Sequence, residues 1–308
     1  MVTSLSSNLS LLSGIQVPWT ATLRRYRDRL AERRPPPLDT NRIYVCFEFT
    51  ESGDSPFYLQ HVQWRQWRDP ARGIFPFNWN IGPTVLDLAP PILQYYYEEA
   101  TANDFFCVAL SGVGYTHPYR RLFARTPSPE NAWRQYLVLT RAYMKRLGLP
   151  HLQLYTDAWF PFDRARSDPV TLRFVKAIPE LRSIVLGMGR DGELTGDSST
   201  YRLGPGHVLV SHCLTRWDHK YASKNREQNI RWLLDDIRSH APSERPGFMH
   251  VMVLSWAYNP SDFVELVRRL GPEYVPVTMD EFCDLYNRVY PASTDRPSRN
   301  RPNPPAVP

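Results

Sequence analysis

The sequence predicts an α/β fold of the (β/α)8 type, a barrel with room for irregular or incomplete closure. Three observations carry this. Short apolar runs rich in Val, Ile, Phe, Tyr and Leu alternate with helical patterns. Eight such strand–helix units fit between residues 42 and 290, which is the length a closed barrel of this kind needs. Between Ile74 and Tyr119 an apolar run, a helical pattern, a second apolar run and an irregular polar-aromatic loop follow one another, the βαβ pattern of a parallel sheet. A doubly wound open sheet is the competing architecture, and both place ligands at the carboxyl ends of parallel strands.

Residues 1–41 precede the pattern. They are Ser/Leu-rich, then Arg-rich (TLRRYRDRLAERR), then stiffened by Pro35-Pro36-Pro37. The expectation is a partly disordered, solvated N-terminal arm, within which Tyr26 and Leu30 would face inward on a short helix. The first strand is IYVCFEF, 43–49, followed by the loop TESGDSPFY and an amphipathic stretch with Val62, Trp64 and Trp67. The second is IFPFNW, 74–79, with a helix over 87–99. The third is FFCVAL, 105–110, leading into SGVGYTHPY; its helix covers about 130–147 with Gly148 as stop.

The fourth strand is LQLYTD, 152–157, with a Pro-started helix over about 169–177. The fifth is SIVLGM, 183–188, followed by the Gly/Asp-rich loop GRDGELTGDSS. The sixth is HVLVSHCL, 207–214, with a helix over 225–239. The seventh is FMHVMVLSW, 248–256, with a helix over 260–270 opened by Pro260. The eighth is YVPV, 274–277, followed by DEFCDLYNRVY. Residues 291–308 are Pro/Arg/Asn-rich and read as a disordered tail.

Composition narrows the function classes. The formal charge is +6, but residues 1–41 hold +3 of it and 295–308 hold +2, leaving the middle nearly neutral. A basic balance carried by the ends is a poor argument for a nucleic-acid groove, so no nucleic-acid partner is expected. No run of 18 apolar residues occurs, so no membrane partner is expected either. The short apolar stretch Leu9 to Val17 lacks preceding basic residues and an A-x-A site, which reads as cytoplasmic rather than secreted. Cys46, Cys107, Cys213 and Cys283 show no CxxC spacing and are expected to be buried free thiols. Nothing in the sequence names a protein partner. Aromatics at 13% suit surfaces that stack on sugar rings, and equally suit a large core.

The strand ends carry carboxylates, amides and aromatics, without a phosphate-cradling GxxxxGK or a GxSxG elbow. Cleavage of a glycosidic bond needs two carboxyl groups, one protonated and one ionised. Asp157 closes an apolar strand beside Ala158-Trp159, where partial desolvation would raise its pKa. Asp54 and Glu48 compete as its partner. Glu48 alternates with Phe47 and Phe49 and so points into the barrel, where a carboxylate must be paired; Asp54 lies in SGDS, which also reads as a simple turn. Substrate contacts are expected from Tyr115, His117, Asn78, Asn80, Trp159, His212 and Trp256. No cofactor is needed for such chemistry. His117 and His212 with Asp54 would be the metal set of a carbohydrate deacetylase, but no paired-His spacing supports it, and no metal is assigned.

The loop Gly112-Val113-Gly114-Tyr115-Thr116-His117-Pro118 resembles the GxGYxYP signature, with His117 at the second Tyr. NWNIGPTVLDLAPPILQYYYEEATANDFF before it and YVPVTMDEFCDLYNRVY near the end are similar to the same family, the GxGYxYP glycoside hydrolases, in their C-terminal domain. The resemblance covers roughly 42–290. It implies a barrel-like α/β domain, a saccharide-related role and an additional N-terminal domain. It also implies a DGDN-like acidic motif after the first strand. Here that stretch is Ser52-Gly53-Asp54-Ser55, in which one acid is lost and only Asp54 aligns. A glycoside hydrolase acting through strand-end carboxylates is therefore the expectation, and a carbohydrate-binding protein without catalysis is the alternative.

Overall fold

The computed structural model describes residues 8–50, 55–119, 122–155, 164–187, 199–205, 207–215, 225–255 and 257–291. Strand β1 (Ile43–Thr50) is buried along its whole length. Ile43, Val45, Phe47 and Phe49 alternate toward the surrounding helices, while Tyr44 and Cys46 face an inner cluster with Phe105, Cys107, Phe248 and Met252. Burial of β1 on both faces is what a sheet wrapped by helices requires.

The other strands are β2 (Phe77–Ile81), β3 (Asp104–Val108), β4 (His151–Leu154), β5 (Ser183–Leu186), β6 (Thr200–Leu203), β7 (Val208–His212), β8 (Gly247–Leu254) and β9 (Tyr274–Val277). Their order is β6-β7-β5-β4-β3-β2-β1-β8, with β9 also paired to β1. All pairings are parallel except β6 with β7. The order runs outward without reversal and β8 returns beside β1, so the sheet curls as a barrel does and has no switch point of a doubly wound sheet. Closure between β7 and β8 is slight: one parallel bridge joins Cys213 to His250, with Leu214 N donating to His250 O at 3.1 Å. The barrel is nearly closed, with an unsealed seam.

Two boundaries differ from the sequence reading for clear reasons. The second strand begins at Phe77, not Ile74, because Pro76 has no N–H for the ladder; Phe77 N bonds Asn103 O at 2.8 Å and Ile74 is 61% exposed. That shift places Asn80 within the strand. The fourth helix begins earlier than the proline suggested, at Arg164, and carries Pro169 inside it. Strand β6, read as loop, is a four-residue antiparallel addition too short to show a period.

Helices fill the outside: α1 (Leu9–Leu12), α2 (Trp19–Ala31), α3 (Ser55–Phe57) continued by a π-helical turn Tyr58–Val62 into α4 (Gln63–Trp67), α5 (Val85–Leu88), α6 (Pro90–Glu99), α7 (Pro129–Leu147), α8 (Arg164–Ala177), α9 (Arg226–His240), α10 (Pro260–Leu270) and α11 (Met279–Val289). Helix α7 ends at Gly148, whose φ of 68° is the left-handed cap glycine adopts without strain. Helix α11 plugs the amino end of the barrel, with Phe282 and Tyr286 ring to ring with Phe248 at 5.5 and 5.1 Å.

Of the two readings of the arm, the short helix with Tyr26 inward is the one adopted, as α2. Tyr26 is 2% exposed, touches Tyr97 and Phe106, and its hydroxyl bonds Asp104 O and Phe106 N. On the same face Arg29 donates to the terminal carbonyls Glu98 and Ala100 of α6, and Arg33 pairs with Glu281 of α11 at 2.7 Å. No helix among the described residues is long and apolar enough to cross a membrane. Replacing Tyr26 by Ala removes a buried aromatic and unpairs two backbone groups. It is expected to lower unfolding free energy by about 3–5 kcal/mol, read from denaturant curves, whereas a loss under about 1 kcal/mol would show α2 to be dispensable.

Candidate functional site

The barrel interior is polar along one column. Glu48 is wholly buried; one carboxylate oxygen accepts from the Asn80 carboxamide and the other lies 2.6 Å from His250 Nε2. The pairing demanded by its inward position is thus met by β2 and β8, two of the strands paired to β1. His250 shows the same signal in sequence, a polar residue alternating inside FMHVMVL. Asn78 serves the floor of the barrel instead. It donates to Phe47 O at 2.8 Å and accepts from Met279 N at 3.0 Å, tying the start of α11 to that floor. Asn78, Asn80 and Glu48 are each 0% exposed, so they act from beneath the mouth rather than at its surface.

Higher in the barrel, Thr50 of β1 and Gln153 of β4 meet across the interior, hydroxyl to carboxamide, at 3.2 Å. Gln153 also donates to Gly187 O at 3.0 Å. The ends of β1 and β4, separated by β2 and β3 in the ring, therefore converge on one point.

The mouth is bounded by the loop after β3. Ser111 has φ 60° and is held on three sides: its N–H donates to Gln153 O at 2.8 Å, its Oγ accepts from Tyr155 N at 2.8 Å, and its carbonyl accepts from the Tyr136 hydroxyl. The Tyr136 hydroxyl also lies 2.8 Å from Thr116 Oγ1, so one phenol on α7 grips both ends of the segment 111–116. Gly112 has φ 91°, and a Cβ there would lie 2.5 Å from Thr140 Oγ1. Glycine is required by both conformation and space. The loop so fixed presents Tyr115, 37% exposed, against His117 with ring centroids 5.7 Å apart. Tyr155, which reads in sequence as one more apolar residue of LQLYTD, completes the group at 4.4 Å from His117 and 5.5 Å from Tyr115.

His212, expected at the sugar site, lies elsewhere. Its neighbours in alternation, Val210 and Leu214, belong to the outer core, and its ring stacks on Tyr201 at 5.8 Å under α8. Tyr201 donates to Asp168 at 2.7 Å and carries the Arg164 guanidinium 3.6 Å above its ring. Strand alternation turns His212 away from the barrel. The histidines of the imagined metal set are thus on different faces, His117 at the mouth and His212 in the helix layer. Among the described residues no cluster of three or more His, Cys, Asp or Glu is arranged to hold a metal. Asp54, Asp157, Trp159 and Trp256 lie outside the described residues.

A cleft of about 200 Å³ lies at the opposite end, where Arg33, Pro35, Asp280, Glu281 and Asp284 meet. It sits at the amino ends of the strands, and its charges are internally matched, Arg33 to Glu281 and Arg182 to Asp280 and Asp284. It is a poor candidate for catalysis by position and by charge.

Residues 41–287 match the GxGYxYP putative glycoside hydrolase C-terminal domain. The chain belongs to this family. Its barrel is similar to the crystal structure of a putative hydrolase from Bacteroides thetaiotaomicron VPI-5482, with TM-score 0.69 and 21% identity over 91% of this chain and 51% of that one. At that identity the likeness shows the fold, and this chain spans about half the length of that protein. A putative polysaccharide deacetylase from Mycobacterium smegmatis aligns at TM-score 0.47 and 9% identity, over 82% of this chain and 93% of that one. Comparison with curated proteins gave no match.

Two outcomes are expected from this geometry. Gly112→Ala should destabilise the fold, by about 1–3 kcal/mol for a strained left-handed residue, and part of the loss should return in the Gly112→Ala/Thr140→Ala double variant. Additive losses would separate the loop from α7. Burial, and then the Arg164 charge, push the His212 pKa down from 6.5 to about 3. The folded chain thus binds fewer protons than the unfolded chain between these values. The contribution to stability is complete above pH 6.5 and is lost as pH falls toward 3, with a slope of at most about 1.4 kcal/mol per pH unit. A His212→Asn variant should flatten that limb in urea titrations; an unchanged slope would assign it to other groups.

Proposed function

We propose that the domain over 42–290 hydrolyses glycosidic bonds of a carbohydrate, with Asp54 and Asp157 as its carboxylate pair. The observation that carries this reading is the contact of Thr50 with Gln153 across the barrel. Asp54 follows Thr50 by four residues and Asp157 follows Gln153 by four. Each acid thus comes, in sequence, shortly after a strand end that meets the other across the interior. Such a pair needs separations of roughly 5–10 Å to protonate the leaving oxygen on one side and to supply a nucleophile or an activated water on the other. Tyr115 and His117 supply apolar ring surface beside that mouth, with Trp159 and Trp256 following β4 and β8 in sequence. Family membership supports the same chemistry. Glu48 is a positioning group in this scheme, because its oxygens are occupied by Asn80 and His250 and it is closed off from solvent.

A second reading is a carbohydrate-binding protein without turnover. It is favoured by the SGDS stretch, which holds one acid where the family motif has two, and by the engagement of both Glu48 oxygens. The two readings separate on one experiment. Oligosaccharides are screened for cleavage and for binding, and the best substrate is tested against Asp157→Asn and Asp54→Asn. Each variant is expected to lose about 10²- to 10⁴-fold in turnover while keeping saccharide affinity. Saccharide binding by the wild-type chain with no cleavage of any panel member would replace hydrolysis by binding alone.

A further inference from the structure

Tyr155 sits at the carboxyl end of β4, and its ring rests on the buried Ala109 and Leu110 beneath it. Its N–H donates to Ser111 Oγ, and Gln153 two residues before it accepts from Ser111 N, each at 2.8 Å, so this strand end is fixed twice over to the neighbouring loop. The ring contacts His117 at 4.4 Å with the planes 73° apart, and Tyr115 at 5.5 Å with the planes 49° apart. Tyr115 and His117 are likewise inclined at 73°. No pair lies flat, so the three rings form a corner rather than a stack. A corner of aromatic surfaces at a strand end, held by backbone bonds, is pre-organised to receive a ligand with a flat apolar face.

The phenol hydroxyl distinguishes Tyr155 from a ring that merely fills space. Buried tyrosines ordinarily satisfy their hydroxyls, and here Tyr26, Tyr96, Tyr97, Tyr136, Tyr201 and Tyr258 all bond a protein oxygen. The half-buried Tyr155 hydroxyl has no hydrogen-bond partner among the described residues. We propose that Tyr155 is a saccharide-binding residue of the mouth: its ring takes the apolar face of a pyranose together with Tyr115 and His117, and its hydroxyl bonds a hydroxyl of the same sugar. The inference rests on the carbohydrate reading above and deepens it, by making the recognition element a three-ring corner that spans β3 and β4.

The test uses the full chain with a panel of soluble α- and β-linked gluco-, galacto-, manno- and fuco-oligosaccharides, with binding measured by calorimetry. For the tightest panel member, Tyr155→Ala is expected to weaken Kd about tenfold or more and Tyr155→Phe about threefold. Where that saccharide is also cleaved, the loss should appear in KM, with kcat within about twofold of wild type. Tyr95→Ala, on the exposed face of α6, should bind as wild type does. A folded Tyr155→Ala and Tyr155→Phe that both keep wild-type affinity overturn the proposal; if the alanine variant does not fold, Tyr155→Phe alone decides by the same criterion. Cleavage of a saccharide whose affinity ignores Tyr155 removes this inference and leaves the hydrolase reading standing. Failure of the wild-type chain to bind any panel member removes both.

Discussion

A carboxylate sealed inside a barrel has to be paired, and much of this structure is arranged around that requirement. Glu48 projects from β1 into the interior with no solvent contact. An isolated buried charge would cost several kcal/mol or more, so the residues that meet it are constrained in kind and place. Asn80 comes from β2 and His250 from β8, the strands on either side of β1. His250 is also the residue whose carbonyl closes the barrel toward β7. One ionisable group therefore ties together three strands and, through His250, the weakest joint of the ring. The unsealed seam lies beside the strand that this pair anchors.

The same period that reveals the fold reveals this group. Phe47-Glu48-Phe49 and Met249-His250-Val251 each break an apolar run with one polar residue at the alternating position, which is how Glu48 reads as inward and paired. Fold class and the eight parallel strands are legible in this way because burial within a helix-wrapped sheet imposes apolar runs. The period says which residues share a face, but not which face is the interior. His212 alternates as regularly as His250, yet its parity points to α8 rather than to the barrel lumen. Tyr155 escapes notice for the opposite reason. Within LQLYTD it reads as one more apolar strand residue, and its neighbours His117 and Tyr115 come from about forty residues away. Strand β6 is only four residues long and leaves no period at all. The shift of β2 from Ile74 to Phe77 follows from a backbone donor that Pro76 lacks, a local rule that outranks the apolar run around it.

Charge shows how far composition can mislead. The excess of arginine in the N-terminal stretch suggests a solvated basic arm. Arg25 and Arg29 lie one turn apart on α2, and Arg33 follows just past its end. The structure uses all three: Arg25 meets Glu98, Arg29 meets the last carbonyls of α6, and Arg33 meets Glu281 at the start of α11. Cations at the C-terminus of α6 answer its dipole and its orphan carbonyls. Charge that reads as surface in a count is, in place, an internal fastener between the arm helix and the barrel floor.

The rings proposed for recognition and the strand ends that lead to the proposed acids meet at β4. The Ser111–Thr116 segment owes its shape to α7, where the Tyr136 hydroxyl reaches both of its ends and Thr140 fills the space a side chain at Gly112 would need. The rings it presents are therefore as rigid as the helix behind them. Gln153 of β4 accepts from Ser111 N on one side and meets Thr50 of β1 on the other. Two residues later Tyr155 turns its ring to Tyr115 and His117, and two residues beyond that the sequence reaches Asp157. A single strand end thus fixes the position of the Tyr155 ring against Tyr115 and His117 and the point from which one proposed acid departs in sequence. A shift of β4 by even one residue would reverse the faces of Gln153 and Tyr155 and separate both from their partners. The register of β4, set by four consecutive pairs with β5 from His151–Ser183 to Leu154–Leu186, is the constraint that lets a barrel with an open seam hold a defined mouth.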